Sequence, residues 1–224
     1  MAEVPQPVMI DPFAEVNLGQ LFTFVPELGD VESPEAWAAA AVEDFYADRD
    51  VDAGFAAKAH LVETFSFMVS TPVLPGYDFR VLFMPAPENG GAVYHLAFID
   101  AATVTDDLRD VLAERGEPAP LGRHTDEFAE GGMDGRSTTR FAYLDDSRSS
   151  TRWFNKKERP IVATHTVTVR RQLTGRGLTD VVATASSADL EPFLASLPSI
   201  RRLLLSSDFD ELVTALTSPP SDPS

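Results

Sequence analysis

"IVATHTVTVRRQLTGRGLTDVVATASSADLEPFLASL", residues 161–197, decides the fold. Ile161, Ala163, His165, Val167 and Val169 fall on one side of an extended chain, and Val162, Thr164, Thr166, Thr168 and Arg170 on the other. That period of two marks a half-buried strand and suits an outer position in an antiparallel sheet. "TGRG" (174–177) carries turn chemistry, and "DVVATAS" (180–186) returns as a second strand. "SSADLEPFLASL" (186–197) then reads as a helix. The order strand, turn, strand, helix places the chain in the α+β class, as a mainly antiparallel sheet with helices packed on it.

The same texture extends upstream. "STTRFAYL" (137–144) is a further strand, and Leu121 to Thr184 is mostly strand and turn. "YDFRVLFM" (77–84) and "AVYHLAFI" (92–99) flank the Asn89-Gly90 turn and predict a hairpin. Both strands are apolar on each face, which predicts a central, covered part of the sheet. Leu21, Phe22, Phe24 and Val25 form a short strand or a pinned arm.

Helices punctuate the sheet. In "SPEAWAAAAVEDFYAD" (33–48), Ser33 suits the N-cap, Pro34 the first helical position and Glu35 the positive end of the dipole. Trp37, Ala41 and Phe45 recur every four residues and predict a core stripe. A second helix is expected from Phe55 to Thr64, and a third in "TVTDDLRDVLAERG" (103–116). "PSIRRLLLS" (198–206) and "DFDELVTALT" (208–217) follow, and Pro198 is expected to divide the first of these from the helix before it. Residues 1–217 read as one domain and 218–224 as a disordered tail.

Composition narrows the function. The 224 residues contain no Cys, which removes disulfides, thiolate nucleophiles and Cys-based metal sites. No run of 18 apolar residues exists, and the N-terminus lacks the pattern of a signal peptide, so a cytoplasmic protein without membrane contact is expected. Lys occurs only at positions 58, 156 and 157, and the dominance of Arg suggests a GC-rich bacterial genome. The formal net charge is −17, unevenly spread. Residues 1–79 hold 14 acids against Arg49 and Lys58, whereas residues 136–176 hold ten bases against three acids. Such polarity bears on association.

No P-loop, G-x-G-x-x-G, G-x-S-x-G, S-x-x-K or H-E-x-x-H motif occurs. The pairs His60/Glu63 and His124/Asp126 each supply two ligands, short of the three that a catalytic zinc needs. "EGGMDG" (130–135) reads as a mobile turn. Adjacent carboxylates such as Glu43-Asp44 and Asp106-Asp107 read as caps and solvated faces. His95 and His165, on strands, read as satisfied imidazoles. No catalytic residue, cofactor or metal is expected.

From Thr105 onward the element order resembles the Mog1/PsbP-like α/β/α fold with its actinobacterial LpqN-like members. There a meander leads into a final strand and helix, here "DVVATASSADLEPFLASLPSIRRLLLSSDF". The resemblance covers about half the chain, carries over no functional residue, and implies a non-catalytic accessory or adaptor protein. The acidic helical N-terminal region departs from it.

Two sets of residues are candidates for function. A protein contact, with a partner of unknown identity or a second copy of the chain, would use Arg148, Arg152, Trp153, Phe154, Lys156, Lys157 and Arg159 in "RSSTRWFNKKERP" (148–160), or Glu43, Asp44 and Asp48 on the acidic helix, or both. The same basic stretch is equally a solvated hairpin end, and the net charge opposes nucleic acid. The alternative is a small-molecule or lipid pocket lined by Phe65, Phe67, Phe79, Phe83 and Phe98. An enzyme of unrecognised type would require imidazoles and carboxylates to converge in a cleft.

Overall fold

The computed structural model describes residues 11–49, 54–86, 91–103, 121–143 and 160–217. Its elements run α1 (Leu18–Leu21), β1 (Phe22–Val25), α2 (Pro34–Ala47), α3 (Phe55–Ser70), β2 (Phe79–Phe83), β3 (Ala92–Asp100), β4 (Gly122–Glu130), β5 (Met133–Tyr143), β6 (Ile161–Leu173), β7 (Gly177–Ser187), α4 (Leu190–Leu205) and α5 (Asp208–Thr217). The seven strands make one sheet in the order β1-β2-β3-β7-β6-β5-β4, and every neighbouring pair is antiparallel. The class is α+β. The expected third helix, the basic stretch 148–159 and the tail from 218 lie outside the described residues.

Strand alternation sends neighbouring side chains to opposite layers. Leu82 packs with Val25, Val42, Phe45, Leu61 and Phe65 under α2 and α3. Its neighbour Phe83 packs with Tyr94, Val167, Val181, Phe193 and Ile200 under α4 and α5. The β2–β3 hairpin is thus covered on both faces, as its double apolarity required. Ser33 caps α2 by accepting from the Ala36 amide at 3.2 Å. In the β4–β5 turn, Gly131 and Gly132 hold φ of 59° and 81°, the left-handed region that glycine enters without strain.

Three expectations are corrected. Helix α3 continues past Thr64 to Ser70, because Leu61, Phe65 and Val69 extend one buried stripe at i, i+4 and i+8. Pro198 does not divide α4. Losing one backbone bond costs about 3 kcal/mol, whereas Phe193, Leu197, Ile200 and Leu204 each gain roughly 1.5–3 kcal/mol by burial on the sheet. Strand β6 is not an outer strand but lies between β5 and β7, where Thr166 faces Thr138 on one side and Thr184 on the other, and Thr164 bonds Ser186. Strand β4 lies within the expected strand-and-turn region although "GRHTDEFAE" carries little apolar periodicity, and it is one of the sheet's two edges.

Candidate functional site

The buried face of the sheet holds a chain of polar groups. Ser137 Oγ lies 2.8 Å from His165 Nε2, Tyr94 Oη lies 3.4 Å from His165 Nδ1 and 2.7 Å from Ser196 Oγ, and Ser196 donates to the Phe193 carbonyl at 2.6 Å. One direction satisfies every group: Ser137 donates to Nε2, Nδ1–H to Tyr94, and Tyr94 to Ser196. The imidazole is neutral, and burial drives its pKa down to about 3. Burial also raises that of the Tyr94 phenol. A hydroxyl beside an imidazole has the form of a nucleophile and its base. Here the ring is fully enclosed, Ser137 is only 6% exposed, and a phenol stands where an orienting carboxylate would be. The network joins sheet to helix and is closed to solvent.

His95 projects from the opposite side of β3, beside Tyr77 at 5.6 Å, with its pKa lowered by burial and then by Arg80. The two strand imidazoles therefore do not converge. Among the described residues no group of three or more His, Asp or Glu is placed to hold a metal. The two two-ligand pairs remain pairs: His60 and Glu63 on α3, His124 and Asp126 on β4.

Arg80 makes the second constellation. It is an arginine in an otherwise apolar strand, "FRVLF", and is 3% exposed. Its guanidinium donates to the carbonyls of Met68, Thr71 and Pro26, the last at 2.9 Å. Met68 and Thr71 lie at the C-terminal end of α3, where helix carbonyls lack intrahelical donors and carry the negative end of the dipole. Burial lowers the guanidinium pKa and the Glu27 carboxylate opposes that shift. The three contacts draw together the segment at Pro26, the end of α3 and the turn beyond it. Each brings an exposed apolar side chain: Leu28 at 56%, Phe67 at 72% and Leu74 at 51%. Exposed Glu27, Asp30, Glu32 and Glu63 lie on the same segments.

The acidic-helix candidates sit at the other end of the α2–α3 pair. Glu43 bonds Lys58 at 2.7 Å, while Asp44 and Asp48 are exposed. Arg49 turns inward, donates to the carbonyls of Phe45, Met84 and Pro85, and lies 3.6 Å over the Phe45 ring. Its charge is spent inside the fold. The basic candidates Arg148, Arg152, Trp153, Phe154, Lys156, Lys157 and Arg159 lie outside the described residues.

The five-phenylalanine pocket does not form. Phe65 belongs to the layer under α2 and α3, whereas Phe79, Phe83 and Phe98 belong to the layer under α4 and α5. Phe67 points to solvent because α3 continues through it. A groove of about 620 Å³ lies elsewhere, along the outer flank of α4, lined by Asp11, Leu18, Glu130, Pro198, Arg201 and Arg202 among others. Its charges serve the fold. Arg202 donates to the carbonyls of Phe13 and Ala14 and pairs with Asp11 at 3.3 Å, while Arg201 pairs with Asp126 at 3.1 Å and stacks 3.8 Å over Phe128.

The chain matches no family model, no curated protein and no solved structure. Sequence reasoning missed Leu28, Leu74 and Arg80. The available signal was the lone arginine within a doubly apolar strand, a position that requires buried acceptors.

Proposed function

We propose that this chain is a non-catalytic protein-binding module, an adaptor or accessory protein of a bacterial cytoplasm. The exposed Leu28, Phe67 and Leu74, on the three segments that Arg80 joins, carry the reading. Single exposed apolar side chains are ordinary, but Leu28, Phe67 and Leu74 are three large ones on the segments whose carbonyls the buried Arg80 binds, and binding is what covers such side chains. Burying Phe67 alone is worth roughly 1.5–3 kcal/mol. The exposed carboxylates of Glu27, Asp30, Glu32 and Glu63 on the same segments select a basic partner segment with an apolar face, because like charges suppress other encounters. The Mog1/PsbP-like resemblance supports the same role, and the absence of Cys agrees with a reducing compartment. Among the described residues, no helix is long and apolar enough to cross a membrane.

The test is co-purification from the native host with wild type, Phe67→Glu and the pair Arg152→Glu/Lys156→Glu, each captured partner being re-measured for affinity in purified form. The reading expects Phe67→Glu to lose a basic partner by tenfold or more while thermal stability stays within about 0.5 kcal/mol of wild type. Identical partners and affinities for wild type and Phe67→Glu overturn this surface. Loss in the Arg152/Lys156 variant alone moves the contact to the basic stretch.

A further inference from the structure

Strand β4 ends the sheet opposite β1, and among the described residues no strand pairs with its outer side. The two edges differ. β1 has four residues, while β4 has nine, of which only Asp126 and Phe128 are not exposed. Short strands are one way proteins protect an edge, and charges are another. β4 contains no proline and is protected by charge, "GRHTDEFAE". Arg123 and Glu127 stand two residues either side of Thr125.

We infer that β4 is the interface through which two copies of this chain pair, antiparallel and centred on Thr125. A two-fold axis normal to the sheet keeps the faces of both copies aligned and sets residue i opposite residue j of the same face. Centred on Thr125, Arg123 faces Glu127 and His124 faces Asp126, and symmetry repeats both contacts. Gly122 faces Phe128. Arg123 and Glu127 are of opposite sign, the His124 ring can donate to Asp126, and no like charges meet. Centring on Asp126, Glu127 or Arg123 sets that residue against its own copy, and centring on Phe128 sets Asp126 against Glu130. Directly opposed unlike charges stabilise a pair of strands and like charges destabilise it.

The molecule already prepares this edge. Arg201 holds Asp126 through Oδ2 and leans on Phe128, and Arg136 holds Glu127 through Oε1 at 2.5 Å, so each carboxylate presents a fixed orientation. The contact closes on itself, because β4 meets β4 and, among the described residues, each copy's other sheet edge is the four-residue β1. Its area is that of one strand pair, which places it among weak, transient interfaces. The edge is six strands from β1, about 29 Å at the usual spacing, and is separate from the Leu28–Phe67–Leu74 surface.

Sedimentation equilibrium at low salt tests it with wild type, Arg123→Glu, Glu127→Arg and an equimolar mixture of the two variants, all first shown to be folded by thermal denaturation. Each variant alone opposes like charges and dissociates about tenfold more readily than wild type. The mixture restores opposite charges at both positions and returns the dimer. A wild type that stays monomeric at high concentration overturns the inference, as does dimerisation of either variant equal to wild type, or a mixture that stays dissociated. The absence of native Cys permits a second measurement. Thr125→Cys places two sulfurs at the axis, within the Cα separation a disulfide spans, and crosslinks on mild oxidation. Ala129→Cys, about 27 Å from its counterpart, does not. Equal crosslinking of the two overturns the register.

Discussion

The Tyr94 hydroxyl and Ser196 Oγ lie 2.7 Å apart although 102 residues separate them in sequence. This bond ties the centre of β3 to α4 inside the apolar layer, where hydrogen bonds are directional and burial is not. It selects one seating of the helix among the several that hydrophobic contact alone would allow.

Tyr94→Phe keeps the ring and removes the donor, so it costs about 1 kcal/mol. Ser196→Ala strands the phenol and costs somewhat more. The double variant falls short of the sum, because both changes break the same bond. Urea unfolding of the three variants measures the coupling.

His165 makes stability depend on pH. Its folded pKa is about 3, against about 6.5 unfolded, so between those values the unfolded chain binds a proton that the folded one refuses. Its contribution is fully present above about pH 6.5 and is lost as pH falls toward 3, with a slope approaching 1.4 kcal/mol per pH unit. Denaturant midpoints for wild type and His165→Gln across this window check it. Parallel curves would show that His165 does not carry the dependence.

Gly135 lies opposite Phe128 across β4 and β5. A Cβ there would stand 2.3 Å from the Phe128 ring and 2.8 Å from the Thr168 carbonyl oxygen. Gly135→Ala displaces the ring from under Arg201 and costs about 1–3 kcal/mol. Adding Phe128→Ala recovers part of the loss by removing the ring clash, and thermal melts of the single and double variants show whether it does.

Arg80→Met leaves three carbonyls without their donor and costs about 2–4 kcal/mol. Arg80→Lys restores little, since a point charge cannot span three acceptors. Hydrogen exchange is expected to quicken first near the end of α3, around Met68 to Thr71, ahead of the sheet centre.

Period and local chemistry made much of the fold legible. Alternation along 161–173 placed the buried face of β6, and Ser33-Pro34-Glu35 located the start of α2. These signals act within a few residues. The candidate sites were less legible, because each depends on elements that meet only in space. Phe65 and Phe67 share a composition class, but the helical period sends one to the core and the other to water.

The sequence by itself determined the α+β class, the β2–β3 hairpin, the contrast in charge between residues 1–79 and 136–176 and the absence of thiol chemistry. Each follows from local backbone preference or from counting. Only the tertiary structure decided that β6 is interior, that β4 is an edge, that α4 runs unbroken through Pro198, and that Arg80 joins the carbonyls of Pro26, Met68 and Thr71. Strand order and buried polar partners come from contacts between residues far apart in the chain, whose energies no local window of sequence contains.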